Sequence, residues 1–332
     1  MIRKVHIIAE AGTNHNGKYE TARKLLDVAA IAGADSVKFQ IIYPDGLYLP
    51  KFFENGQYLA NEVFHKRTHT MLSDNDYRML AADCVAKGIE FSASVFDRRG
   101  IDLLEELDVS YIKIASCDLN NSHLLVEAAE RGRRLIISTG MASLGEIEQA
   151  VSHVISTGNT NIVLMHCVSV YPCPTENMNL HFLDVLKKAF GFPVGLSDHT
   201  EKSLAGAIAI SMGVEWIEKH LTLERQAEGF DHSYAMEPDN FIEFVKDMRI
   251  ATESCRRHNI KLQPAEMAVR KNARRALYAA RDIQKGEILK DNDIIIVRPE
   301  GPLSPCDCSL VINKTTKQFI HQYEPLNFGM FF

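Results

Sequence analysis

No apolar run in the 332-residue chain reaches the roughly 18 residues that a membrane-spanning helix requires, so a protein embedded that way is not expected. Positive charge is not in excess either. The 37 Lys and Arg stand against 43 Asp and Glu, a net of −6, and no long basic stretch offers phosphates a footprint; a nucleic-acid partner is therefore not expected. The opening MIRKVHIIAEAG carries a few charges but lacks the apolar core and small-residue cleavage site of a secretory signal, which predicts a cytoplasmic protein. Cysteine is sparse and irregular. Its seven positions (Cys84, Cys117, Cys167, Cys173, Cys255, Cys306 and Cys308) form no even framework, and Cys306 with Cys308 lacks the second pair of a zinc site, so reduced thiols are the default reading. A GxGxxG turn after the first strand is also missing, which weighs against an open, doubly wound dinucleotide-binding sheet.

What the chain has is alternation. Eight short apolar runs, VHIIAE, DSVKFQ, IEFSAS, SYIKIAS, RLIISTG, NIVLMHC, PVGLSD and EWIEKH, read as strands. Segments of helical spacing lie between them, among them YETARKLLDVAAIAG and SLGEIEQAVSHVIS, several closed by a capping glycine. Eight such units over about 220 residues predict a (β/α)₈ TIM barrel, whose strands are buried on both faces and so read as nearly continuous apolar runs. The barrel is placed over residues 1–262. Beyond it a polar, basic segment is expected to link, over 263–275, to a small β-rich domain over 276–332 with turn residues every few positions. So small a unit is marginal alone, and docking on its own barrel or on a partner subunit is expected.

Catalytic groups in such barrels sit at the carboxyl ends of the strands. Here those ends carry Glu10, Lys38 with Gln40, Ser94, Lys113 with Ser116, Ser138 with Thr139, His166, then Ser197, Asp198 and His199, and finally His220. Singly, each has a bland reading. A Ser or Thr after a strand usually caps the next helix, a lone His there is more often a satisfied core group, and a Lys is ordinarily a solvated charge. Together they predict one polar mouth, because unpaired charge buried there would be costly without a ligand. Lys38 and Lys113 with Ser94, Ser116, Ser138 and Ser197 suit a small, multiply anionic phosphorylated acid. His199 and His220, on adjacent strands, can converge on one divalent metal, and Glu10 is placed to act as a base on water or as an outer-sphere metal ligand.

At these residues the chain resembles the sialic acid synthase family, also called nonulosonic acid synthases. IAEAGTNHNG resembles the family's opening IAE-x-G-x-NH-x-G; VKFQ, YIKIAS, LIISTGM, HCVSVYP and GLSDHT follow in the family's order. RRALYAARDIQKGEIL and VRPEGPLSP resemble its antifreeze-like β-clip domain. The resemblance covers essentially the whole chain. It implies metal-dependent condensation of phosphoenolpyruvate with an N-acetylated hexosamine, releasing phosphate by C–O cleavage. It further implies that Lys38, Ser94, Lys113, Ser116, Ser138 and Ser197 hold phosphoenolpyruvate, that His199 and His220 hold a divalent ion (Mn²⁺ first, Mg²⁺ or Co²⁺ as alternatives), and that Glu10 assists water. Gln40, Asp118, Tyr171 and Asp231 match positions that contact the sugar. In the family's domain-swapped homodimer, the arginine corresponding to Arg298 reaches the sugar of the other subunit.

The departures lie on the sugar side. The family has Gly-Glu where this chain has Cys117 and Asp118, an asparagine where it has Ser169, and commonly a proline where it has Phe230; Ser94 stands for threonine and keeps the hydroxyl. They leave N-acetylmannosamine and a 2,4-diacetamido-2,4,6-trideoxy hexose both open as acceptors. A class I aldolase with a Schiff base on Lys113 or Lys38 is the rival enzyme. A sugar- or ice-binding module, suggested by the tail, does not explain a buried Lys and His set at a barrel mouth.

Overall fold

The computed structural model describes residues 4–255 and 262–332. All eight apolar runs form parallel strands: β1 (His6–Gly12), β2 (Ser36–Ile41), β3 (Glu90–Val95), β4 (Tyr111–Ile114), β5 (Arg134–Ser138), β6 (Ile162–Cys167), β7 (Val194–Asp198) and β8 (Trp216–His220). Each pairs with its sequence neighbour and β8 returns to β1, closing the TIM barrel. Glu10 lies level with both His220 and Lys38 across its two ladders, so groups distant in sequence share one layer.

Period-two alternation sorts the side chains. Ile7, Ala9, Val37, Phe39, Ile112, Ile114, Leu135 and Ile137 face outward into the core between strands and helices. Ile8, Tyr111, Ile136, Val163, Met165 and Trp216 fill the lower barrel interior as a separate apolar plug. Gly195 is required there, because a Cβ would sit 2.8 Å from the Trp216 side chain. Above the plug the inward positions turn polar.

Local signals set the helix ends. Ser143 and Glu146 form a capping box before Leu144–Ser156, and Gly33 and Gly88 end Tyr19–Ala32 and Asp74–Lys87 in the left-handed region. Between β2 and the helix Asp74–Lys87 the chain makes an excursion. It holds an exposed antiparallel hairpin, Lys51–Glu54 with Gln57–Ala60, and the helix Glu62–Thr70. No helix among the described residues is long and apolar enough to cross a membrane, and none of the seven cysteines is paired.

The chain divides into two compact units, Met1–Arg257 and His258–Phe332. Most of the segment expected as a linker over 263–275 is instead a helix, Pro264–Ala273, belonging to the second unit. Its Arg270 Nε donates to Glu300 at 2.7 Å, and the Glu300 amide donates to the Lys271 carbonyl. In that unit the antiparallel pair Ala276–Ala279 and Ile294–Val297, together with isolated bridges such as Ile283 with Ile320, surrounds a core of Leu277, Ile283, Leu289, Leu303, Val311, Ile320 and Leu326.

Candidate active site

A cavity of about 630 Å³ opens at the carboxyl ends of the strands. Its wall brings together Glu10, Lys38, Gln40, Ser94, Lys113, Ser116, Ser138, Tyr171, Ser197, His199, His220 and Asp231. Another cavity, of about 660 Å³, lies between segments 172–181 and 200–212; its wall is mainly apolar and holds none of these groups.

Both lysines are buried and both are already paired. Lys38 Nζ lies 2.5 Å from Glu10 and 3.8 Å from Glu218, and donates to Ser94 Oγ at 3.0 Å. Lys113 Nζ donates to Glu218 at 2.7 Å. Glu218, in mid-strand on β8, also accepts from the Ser197 hydroxyl at 3.0 Å. It is therefore the hub of the charge network, although it does not stand among the polar residues that end the strands. The ladder period supplies the signal: Trp216, Glu218 and His220 share one face.

Burial and pairing push these groups in different directions. Burial raises the Glu10 carboxyl to about 7, against the pull of Lys38. Burial acts the same way on Glu218, but Lys113 and Lys38 outweigh it and hold Glu218 well below the ordinary carboxylate range. Burial depresses Lys113, whereas for Lys38 the neighbouring Glu10 and Glu218 more than offset it and raise the ammonium. Two cations and two carboxylates thus hold one another in the unliganded mouth, and an entering anion competes with the glutamates for the lysines.

The serines complete the floor. Ser116 Oγ accepts the Gly140 amide at 3.1 Å, and Ser138 and Ser197 are buried within the cavity wall.

His199 and His220 face each other with ring centroids 5.4 Å apart. The Nδ1 of His199 lies 2.8 Å from the Val168 carbonyl oxygen, to which it can only donate; this fixes the tautomer and leaves a lone pair on Nε2. His220 is held neutral at ordinary pH, its pKa lowered to about 4 by burial, and its Nδ1 is buried without a partner. Nearby, Asp231 accepts from Tyr234 at 2.7 Å on one oxygen while the other is buried and unpartnered. The neutral His220 ring, the oriented His199 beside it and the orphaned buried atoms fit a divalent cation. No group of three or more His, Cys, Asp or Glu among the described residues is arranged to hold one, so such an ion would draw its remaining ligands from water or substrate.

The sugar-side candidates separate. Gln40 donates to Glu10 at 3.0 Å, Tyr171 packs against His199 with ring centroids 4.2 Å apart and planes tilted by 38°, and Asp231 approaches so close that a Cβ on Gly12 would lie 2.8 Å from it. Gly12 also has φ +54°, a left-handed conformation that a side chain would strain. Asp118 stands outside the cavity wall. The one-turn helix Ser116–Asp118 presents Cys117 to the cavity and folds the Asp118 carboxylate back onto Asn121 at 3.1 Å. Arg298 follows Ile294–Val297 in the second unit. Two further strand-end groups are satisfied core residues: His166 bonds the Met178 carbonyl at 2.7 Å, and Thr139 donates to the Met165 carbonyl. Arg67, which no sequence pattern had singled out, also lines the cavity.

The NeuB family matches residues 25–259 and the SAF domain residues 274–331. The chain is 35% identical over 316 residues to the N,N'-diacetyllegionaminic acid synthase of Legionella pneumophila, covering 92% of this chain and 88% of that one. It is 32% identical over 303 residues to the human N-acetylneuraminate-9-phosphate synthase, covering 89% and 83%. Among solved structures, the N-acetylneuraminic acid synthetase of Leptospira borgpetersenii, in complex with citrate, superposes with a TM-score of 0.72 at 33% identity, over 80% of this chain and 90% of that one. The chain belongs to the NeuB family.

Proposed function

We propose that this NeuB-family chain is a nonulosonic acid synthase. It condenses phosphoenolpyruvate with an N-acylated hexosamine and water, giving a nine-carbon 2-keto acid and inorganic phosphate. The observation that supports this most is the gathering of Lys38, Lys113 and the serines in the same cavity as Glu10 and the two facing histidines.

Phosphoenolpyruvate brings a phosphate and a carboxylate. Lys38 and Lys113 supply the cations for them, with Ser94, Ser116, Ser138 and Ser197 as hydroxyl donors. Gln40, Tyr171 and Asp231 are assigned to the sugar. The enol carbon of phosphoenolpyruvate bonds to the sugar's aldehyde carbon as the C=O π pair moves to the oxygen, which takes up a proton; water adds to the neighbouring carbon, and the C–O bond to phosphate breaks to leave the 2-keto group. His199 and His220 would hold a divalent cation, Mn²⁺ first, whose chemistry there is to polarise the aldehyde oxygen. Glu10 takes the proton of the incoming water.

That role fixes a pH dependence. A carboxyl raised to about 7 is protonated below that pH and becomes a base above it, so turnover should rise as pH passes through about 7. Glu10→Gln should lower kcat by about 10²- to 10⁴-fold and remove this limb. A pH–rate profile of both proteins checks it, and an unchanged limb in the variant would assign the base elsewhere.

The seven unpaired thiols support a reducing, cytoplasmic setting. The resemblance in the RP turn supports a domain-swapped homodimer in which Arg298 serves the partner's sugar. The reading as a whole is tested by following phosphate released from phosphoenolpyruvate with N-acetylmannosamine and 2,4-diacetamido-2,4,6-trideoxy hexoses, with and without Mn²⁺. Release that depends on the sugar and stops on chelation is expected. A borohydride-stable lysine adduct formed with chelator present would point to an aldolase instead.

A further inference from the structure

Arg67 is the one buried residue of the helix Glu62–Thr70, in the excursion that follows β2. An arginine is an unexpected anchor for a short, otherwise exposed helix, since burying a cation costs several kcal/mol unless a counter-charge meets it. Lys38 and Lys113 each have a glutamate within 2.7 Å. Arg67 has no carboxylate within 4.0 Å among the described residues. Its Nη1 donates to Thr13 Oγ1 at 2.6 Å, its guanidinium lies 3.6 Å from the centroid of the Phe230 ring, and its Nε is buried without a partner. Phe230 therefore covers one face and Thr13 takes one corner. The Nε edge is left for an in-plane acceptor, the geometry in which arginine grips phosphate or carboxylate.

The cavity wall includes both Arg67 and Phe230, so that acceptor can come from a bound substrate. Phosphoenolpyruvate's two anionic groups are already assigned to Lys38 and Lys113. Phe230 adjoins Asp231, on the side given to the sugar, and Lys66 of the same helix adds a second cation 5.1 Å from the Phe230 ring.

Resting on the synthase reading above, we propose that Arg67 binds an anionic substituent of the acceptor, so that the preferred acceptor is an N-acylated hexose bearing a phosphate ester or a carboxylate. Family membership leaves this open, because the relatives include both a 9-phosphate synthase and a diacetyllegionaminic acid synthase.

The experiment compares kcat/KM of the full chain, with phosphoenolpyruvate and Mn²⁺, for N-acetylmannosamine, its 6-phosphate, N-acetylmannosaminuronic acid and a 2,4-diacetamido-2,4,6-trideoxy hexose. An anionic acceptor should be preferred about tenfold or more, and the choice between the 6-phosphate and the uronic acid identifies the group. Arg67→Gln should reduce that preference at least about tenfold, and Arg67→Lys, which keeps the charge and loses the fork, should retain part of it. Turnover of neutral sugars at equal or better efficiency would overturn the assignment while leaving the synthase standing. A loss in Arg67→Gln that is equal for all acceptors would also overturn it, as the mark of a structural role. If Arg67→Gln does not fold, Arg67→Lys carries the test, and an undiminished preference in that variant would overturn the fork geometry. No turnover with any sugar would remove the synthase reading and this inference with it.

Discussion

Replacing Glu218 with alanine should destabilise the barrel by about 3–5 kcal/mol and lower its melting temperature by roughly 10 °C, the largest stability effect expected of any single change in the cavity. Glu218 lies between two buried ammonium groups, 2.7 Å from Lys113 and 3.8 Å from Lys38. Among the described residues, its loss leaves Lys113 with no carboxylate within 4.0 Å and Lys38 with Glu10 as its ion-pair partner. Glu10, already raised to about 7 by burial, is the weaker counter-ion near neutral pH. Phosphoenolpyruvate should restore the variant's melting temperature more than it raises that of the parent, because the ligand then supplies the missing negative charge. A Glu218→Leu, Lys113→Met pair should recover part of the lost stability without recovering activity, since removing both charges removes the imbalance. The pH dependence has a defined sign. A carboxylate held below its ordinary range contributes stability that is fully present above pH about 4.5 and is lost as the pH falls through its folded value, so the two proteins should converge in strong acid. Thermal melts across pH, with and without phosphoenolpyruvate, read all of this; equal melting temperatures at neutral pH would show that the lysines do not depend on Glu218.

That Glu218 escaped the sequence while His220 did not follows from how strands display themselves. Parallel strands buried on both faces read as apolar runs, and a polar residue at the end of a run stands out against them; all eight barrel strands were legible for this reason. A glutamate inside EWIEKH reads as noise in a strand until the two-residue period is applied from His220 backward. Asp118 was legible as a carboxylate, but its direction depends on a one-turn helix that turns Cys117 toward the cavity. The hairpin at 51–60 carried its own mark, Asn55-Gly56, both with positive φ, though its exposed flanks lack the alternation that would have named them strands. Arg67 had no mark at all. Its place against Thr13 and Phe230 is made by contacts across 54 and 163 positions of chain, and nothing local in VFHKRTH distinguishes it from its solvated neighbours.

His220→Ala should remove binding of Mn²⁺ and lower turnover by roughly 10³-fold or more while leaving the fold intact. The activity loss alone would not separate a metal ligand from a packing residue, so the discriminating readout is direct. The electron paramagnetic resonance signal of free Mn²⁺ should diminish when the parent protein is added and persist with the variant. The asymmetry between the two histidines sharpens the test. His199 is oriented from outside the cavity by the Val168 carbonyl, which leaves its Nε2 as the acceptor. His220 lacks such a partner on Nδ1, and burial keeps it neutral down to about pH 4. An imidazole that resists protonation and has no hydrogen bond to satisfy it is poised to bind a cation at neutral pH, and its replacement by alanine leaves His199 as a lone ligand. The stability of the unliganded variant should not follow that of Glu218→Ala. Removing a neutral buried ring with an unpartnered nitrogen strands no charge, so without metal the variant should melt close to the parent, and only the parent should gain stability from added Mn²⁺. Equal gains in both proteins would place the ion somewhere other than between these two rings.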